Sequence, residues 1–451
     1  MSVAASIGVL VGTEVTNREN GTKPCKADSN TSTPTHSDGT AGQITFAGPS
    51  HRVMPMLLRL AYRALTELSP RLAAKAAYLW VFKGDRAMAA YRRRLRRGEL
   101  FPPFLFLALT NACNLRCHGC WIDTSGGGKS LTEEEVETLI VEGKKQKAYF
   151  YTLLGGEPMM YPGLWRIIED HPECYFQIIT NGMFLDDENV ERLRKAGNVT
   201  PLVSIDGPEA ENDARRGEGV FREAMEGVER LQQRKMLYGV ATTVTGQNVE
   251  RVLCDEYVQS FVDRGAMYLW YYVFRPVGAD PSPEFCVAKE QMIEIRRRLL
   301  ELRRRHPIIL IDTYWDARGE AVCPAAKGLG FHIGPGGSIE PCPPMSFACE
   351  TIRDHGGDLF TTINESQFLR GFQDFVNERT QGCVILEHPQ ELVEYLKSQG
   401  AADSSGRDAY GELSASTARS SHHLPGEEIP ENYWVYRVLK RKLFFGMGGY
   451  G

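Results

Sequence analysis

The 451-residue sequence predicts an α/β fold built on a parallel sheet, and three observations carry that expectation. Between positions 104 and 312, short apolar runs alternate with stretches of helical periodicity, the pattern of strands joined by crossover helices. Thr132, followed three residues later by Glu135, forms a capping box at the start of the first such helix. The motifs rich in cysteine, glycine and charge fall where apolar runs end, and parallel barrels build their sites at those strand ends.

Taken in chain order, residues 17–50 are rich in Thr, Ser, Gly, Asn and Pro and offer little to bury, so 1–50 reads as a disordered segment. The first residues lack a basic stretch before their apolar ones, which argues against a secretory signal. Residues 51–103 form a basic helical region, with Pro55 and Pro70 as punctuation and Arg52, Arg59 and Arg63 at helical spacing. The barrel region, 104–312, places strands at 104–110, 149–154, 176–180, 202–205, 238–244 and 268–274. Helices are expected at 132–146, 188–196, 221–234 and 249–264. Six strands are too few for a closed eight-unit barrel. Residues 313–400 carry a second group of cysteines, and 401–451 reads as a polar linker followed by an aromatic, basic tail.

A net charge of −5 gives no reason to expect nucleic acid as a partner. No apolar run approaches the roughly eighteen residues that span a bilayer. Eleven cysteines, grouped at loop motifs, fit a reducing cytoplasm and metal ligation better than a disulfide framework.

Cys113, Cys117 and Cys120 follow the first strand in CxxxCxxC spacing. Three thiols on one short loop cannot close a tetrahedral zinc site alone, nor can all three pair as disulfides. They suit three corners of a 4Fe–4S cube and leave the fourth iron open. The next three apolar runs end in Leu154-Gly155-Gly156-Glu157-Pro158, Ile179-Thr180-Asn181-Gly182 and Val203-Ser204-Ile205-Asp206-Gly207, with Asp213 and Arg216 soon after. Gly155 and Gly156 permit close backbone approach, although a strand-to-helix turn would use them equally. Asp206-Gly207-Pro208 is a turn signal in its own right, and Arg216 has Glu211 and Asp213 nearby as surface partners. Gly126 to Ser130 looks like half of a phosphate-binding loop, but Asp123 stands where that motif needs glycine, so a flexible loop is expected.

The triplet and these segments, in this order, resemble the radical S-adenosylmethionine (radical SAM) superfamily over about residues 104–312. The resemblance implies a partial (β/α)6 TIM-like barrel, which accommodates six strands. It implies that Cys113, Cys117 and Cys120 hold a 4Fe–4S cluster whose open iron is chelated by SAM. One electron then yields methionine and a 5′-deoxyadenosyl radical that abstracts hydrogen. Gly155, Gly156, Glu157 and Pro158 match the family's site for the SAM amino group. Ser204 and Asp206 match ribose contacts, and Arg216 matches a carboxylate contact that a planar fork of donors suits. An electron donor such as flavodoxin or ferredoxin is also implied. One departure concerns the position before the third cysteine, often aromatic in the family. It is Gly119 here, which leaves His118 or Trp121 to meet adenine.

Cys323, Cys342, Cys349 and Cys383 form the second set. Gly337-Ser338-Ile339-Glu340-Pro341-Cys342 is similar to the Gly-x4-Cys element of SPASM and twitch extensions, which implies a small C-terminal domain with a second 4Fe–4S cluster. Four cysteines correspond to the shortened twitch type. An ordinary thiol at Cys349 or Cys383, or zinc on all four, remain as alternatives. Cys25, Cys174, Cys254 and Cys286 read as plain thiols. The function expected is a cytoplasmic radical SAM oxidoreductase resembling cofactor- or peptide-maturation enzymes, with a small-molecule, peptide or lipid substrate. The lipid alternative draws on the arginine-rich helices with Trp80 and Phe82, and on Trp434, Phe444 and Phe445, which suit a peripheral membrane surface. Helices simply packed on the barrel are the competing reading. A non-enzymatic iron–sulfur or zinc protein would have no use for Gly155, Gly156, Ser204 and Arg216 together.

Overall fold

Seven parallel strands form the body of one sheet: β1 (Phe104–Thr110), β2 (Phe150–Gly155), β3 (Tyr175–Thr180), β4 (Val199–Ser204), β5 (Gly239–Val244), β6 (Tyr268–Val273) and β7 (Ile309–Ile311). Beyond β1, β8 (His332–Ile333) pairs in parallel and β9 (Ile339–Glu340) antiparallel. The strand order is β7-β6-β5-β4-β3-β2-β1-β8-β9, so the sheet is an open, partial TIM-like barrel. This computed structural model describes residues 56–442 apart from 123, 125–127, 313 and 423–425. The expected disordered segment 1–50 and the aromatic pair Phe444 and Phe445 lie outside the described residues. β1 is buried at every position, as expected of an apolar strand covered on both faces. β7 was not anticipated, because three residues are too few to register as a periodic run.

The crossover helix Glu133–Lys145 opens with the expected capping box: Glu135 N donates to Thr132 Oγ1 at 3.1 Å, and Thr132 N to Glu135 Oε2 at 2.9 Å. The helix expected at 249–264 is two, Val249–Val252 and Asp255–Asp263, and Leu164–Asp170 and Glu209–Arg216 are additional. The basic helices are α1 (Met56–Glu67), α2 (Pro70–Ala77) and α3 (Gly84–Arg96). They lie against the amino ends of the strands, where Trp80 meets Phe150 and Tyr175 edge-on at 5.8 and 5.7 Å. Several cations of these helices cap the ends of neighbouring helices. Buried Arg63 donates to Val262 O (3.0 Å) and Pro307 O (2.6 Å), and Lys75 to Ala196 O (2.7 Å).

The polar stretch from 401 to 428 is not a loose linker. It forms β11 (Ala402–Asp403), paired with β10 (Phe347–Ala348), and the helix Ala409–Ala415, and its polar side chains are spent on local bonds. Asp403, for example, accepts from Ser405 N and Ala409 N, both at 2.8 Å. The chain then reaches the helix Trp434–Lys442, whose Tyr436 hydroxyl accepts from Leu310 N (2.8 Å) and donates to Ile308 O (3.1 Å) at the edge of the sheet. Among the described residues no helix is long and apolar enough to cross a membrane.

Candidate functional site

The carboxyl ends of the strands open onto one cavity of about 390 Å³. Cys113, Cys117 and Cys120 all line it, on a loop pinned by the bond from His118 N to Arg215 O at 2.9 Å. Burial pushes the Cys113 thiol up to about 11 and raises Cys120 as well. Thiolates at this site therefore call for a compensating cation, as metal ligands do.

Gly155 and Gly156 carry the end of β2 across that loop, with Gly156 N on Thr110 O at 2.7 Å and Glu157 N on Ala112 O at 2.8 Å. A Cβ on Gly155 would lie 2.1 Å from Thr110 O, and one on Gly156 2.1 Å from Ala112 O, so no larger residue fits the crossing. Glu157 is buried in the cavity wall and accepts from Thr180 Oγ1 (2.8 Å), Asn181 N (2.8 Å) and Met159 N (3.0 Å). Burial outweighs those donors and lifts its carboxyl to about 7. Pro158 starts a short turn behind this loop.

Ser204 also reaches the cavity, at the end of β4. Asp206 sits behind the wall. Its carboxylate accepts from Arg215 Nη1 (2.5 Å), Arg216 Nε (2.6 Å) and Thr243 N (2.7 Å). Against the opposing effect of burial, the two guanidinium groups hold it well below the usual carboxylate range. Arg216 thus pairs with neither expected surface partner, because Glu211 bonds Arg251 at 2.8 Å and Asp213 takes Gly219 N and Phe221 N at 2.8 Å. Arg215, Arg216 and Thr243 face the cavity.

Gly119 has φ +64°, and a Cβ there would stand 2.6 Å from the ring of Phe274, which lines the cavity just past β6. The ring of Phe274, from the segment after β6, thus fills the space that a side chain at position 119 would take. Trp121 lines the cavity too, whereas His118 is largely exposed, 3.7 Å from Asp280.

Cys323, Cys342 and Cys383 line the same cavity, as does Arg275, which lies over Tyr314 at 5.1 Å. Cys349 is elsewhere: it is exposed, and its thiol donates to Gln399 O at 3.5 Å. Three of the four expected cysteines of this set thus share the cavity wall. Cys254, expected as a plain thiol, is disulfide-bonded. Among the described residues no three His, Cys, Asp or Glu side chains converge on a single ion-sized point.

Sequence reasoning missed Arg215, Thr243, Phe274, Arg275 and His422, all of them in the wall. The period-two run Trp270, Tyr272, Phe274 was a usable signal, since alternate strand residues share a face. His422 had none.

Residues 107–253 match the Radical SAM superfamily. The sporulation killing factor maturation protein SkfB of Bacillus subtilis is 32% identical over 52% of this chain, which spans 59% of SkfB's length. The mycofactocin maturase MftC of Mycobacterium ulcerans is 30% identical over 59% of this chain and 78% of its own. The crystal structure of Streptococcus suis SuiB bound to precursor peptide SuiA superposes with a TM-score of 0.53 at 15% identity, over 66% of this chain and 72% of that one. The family match spans the cysteine loop and the ends of β2 to β5 that line the cavity. The chain belongs to the radical SAM superfamily and carries a C-terminal extension beyond the barrel.

Proposed function

We propose that this enzyme cleaves SAM at Cys113, Cys117 and Cys120 and abstracts hydrogen from a substrate lodged between that site and the second thiol set. The observation that carries this reading is that both thiol sets face one cavity. A 4Fe–4S cluster held by the triplet would supply the electron that splits SAM into methionine and a 5′-deoxyadenosyl radical. The chain's own residues bind and orient. The backbone of Gly155 and Gly156, backed by Pro158, and the carboxylate of Glu157 receive the methionyl ammonium. Arg216, with Arg215, takes the carboxylate, and Asp206 acts as a positioning residue behind them rather than as a ribose ligand. Ser204 and Thr243 serve the ribose hydroxyls, and Phe274 and Trp121 the adenine. Trp270 and Tyr272, stacked at 5.2 Å, line the same cavity and help exclude water.

In this reading residues 104–312 are the barrel, 51–103 its basal helices and 313–400 the extension, which holds a second 4Fe–4S cluster through Cys323, Cys342 and Cys383. A flavodoxin or ferredoxin supplies electrons. The names of SkfB and MftC, both maturation proteins, support a peptide or cofactor-precursor substrate. The test is anaerobic. Reconstituted protein with dithionite should turn SAM into 5′-deoxyadenosine and methionine, and Cys117→Ala should not. Equal cleavage by both would defeat the proposal.

A second reading, peripheral contact with an anionic membrane and with it a lipid substrate, is favoured by the exposed apolar and basic residues of the basal helices. Leu58, Tyr62, Leu65, Tyr78, Val81 and Phe82 are exposed on the basal helices, Leu65 by 80%. Exposed Arg86, Arg92, Arg93, Arg96 and Arg97 accompany them. Sedimentation with anionic vesicles that salt weakens is expected. Indifference to vesicles would leave those helices as barrel packing alone.

A further inference from the structure

We infer that His422, and not Cys349, completes the ligand set of the second cluster together with Cys323, Cys342 and Cys383. This inference rests on the proposed auxiliary cluster and says which atoms of this chain hold it.

The first observation is negative for Cys349. It follows β10 at the margin of the extension, is exposed, and directs its thiol to Gln399 O at 3.5 Å. Cys349 does not belong to the cavity wall that the other three share.

The second observation is positive for His422. It lines the same cavity as the three thiols. It also packs directly on the residue before Cys383, since a Cβ on Gly382 would lie 2.3 Å from its Nδ1. Cys383 N donates to Ser421 Oγ at 2.7 Å, so the two segments are joined at the ligand itself.

The third concerns orientation. His422 Nδ1 lies 2.7 Å from Glu387 Oε1. The same carboxylate accepts from Ser421 N (2.9 Å), Ser421 Oγ (2.8 Å) and Thr380 Oγ1. A proton on Nδ1 directed at that carboxylate would leave the lone pair on Nε2 for iron. Metal-bound histidines have this arrangement, with the non-ligating nitrogen donating to a carboxylate that fixes the tautomer and the ring plane. Glu387 closes the short helix Val384–Glu387 that Cys383 begins, so ligand, ligand and orienting carboxylate form one unit.

Imidazole in place of thiolate removes one negative charge from the cluster and raises its reduction potential, the direction in which histidine ligation acts in other iron–sulfur centres. The experiment uses the full chain with Cys113, Cys117 and Cys120 changed to Ala, so that only the second cluster is seen, reconstituted anaerobically with iron and sulfide. About four irons per chain are expected. On reduction, pulsed EPR of protein labelled with ¹⁵N-histidine should show a directly coordinated nitrogen. That coupling should vanish in His422→Ala and in His422→Cys. The latter should keep its iron and show a lower potential. Cys349→Ala should keep iron, nitrogen coupling and potential unchanged. Retention of the nitrogen coupling in His422→Cys, or loss of the cluster on Cys349→Ala, overturns the assignment while leaving the auxiliary cluster standing. Failure of the triplet variant to bind any iron overturns both.

Discussion

Replacing Asp206 with Asn keeps the side chain's shape and removes the charge on which two arginines depend. The Asp206 carboxylate is 1% exposed and accepts from Arg215 Nη1 at 2.5 Å and Arg216 Nε at 2.6 Å. In the variant both guanidinium groups lose their counter-ion, and the new amide group can turn a donor toward one of them. Removing one partner of a buried ion pair costs about 3–5 kcal/mol, a fifth or more of a typical total of about 5–15 kcal/mol. Denaturation in urea, followed by circular dichroism, should register a loss of that size. Titration calorimetry should find SAM bound about tenfold more weakly, or about 1.4 kcal/mol, because the Arg216 fork is no longer held. Glu211→Gln, at a half-buried pair with Arg251, is the control and should cost less than the loss at Asp206, about 1 kcal/mol. The pH dependence has a definite sign. The folded-state value of Asp206 is depressed, so its contribution is fully present above the unfolded value of 3.8 and is lost as pH falls below it. The gap between parent and Asp206→Asn should therefore narrow in acid. A variant as stable as the parent at neutral pH, with Glu211→Gln the costlier change, would refute the reasoning.

Gly156→Ala should prevent normal cluster incorporation, measured as bound iron, because its Cβ would meet the Ala112 carbonyl at 2.1 Å and no side-chain rotation relieves a clash with backbone. Glu157 titrates near 7 against an ordinary 4.5, so the folded state binds the extra proton. Its burden on stability should be absent below pH 4.5 and grow as pH rises through 7, by up to about 3 kcal/mol. Glu157→Gln should flatten that slope, and it should also remove the tightening of SAM binding expected in the parent over the same range. Glu431→Ala should cost about 3 kcal/mol and expose the Trp434–Lys442 helix to limited proteolysis, because Glu431 bonds Arg303 at 2.8 Å with both side chains fully buried.

Local geometry explains which parts of this protein its sequence determined alone. β1 to β6, the capping box at Thr132 and the triplet were readable because each is encoded within a few residues. Strand periodicity, a cap three residues from its partner and thiols on one short loop follow from backbone geometry whatever surrounds them. The position of the site at the strand ends follows from a parallel sheet in the same way. Tertiary structure decided what depends on strand order. It turned Arg216 away from its neighbours in sequence to Asp206, which lies across from Thr243 of β5. It set the ring of Phe274 over Gly119, where the cysteine loop itself has no side chain. It separated Cys349 from three thiols that look equivalent in sequence, and folded a polar stretch so that Ser421 and His422 meet Glu387. Composition cannot reveal whether a polar segment is solvated or satisfied by distant partners. That depends on the long-range packing which brings its hydrogen-bonding groups to the cavity wall.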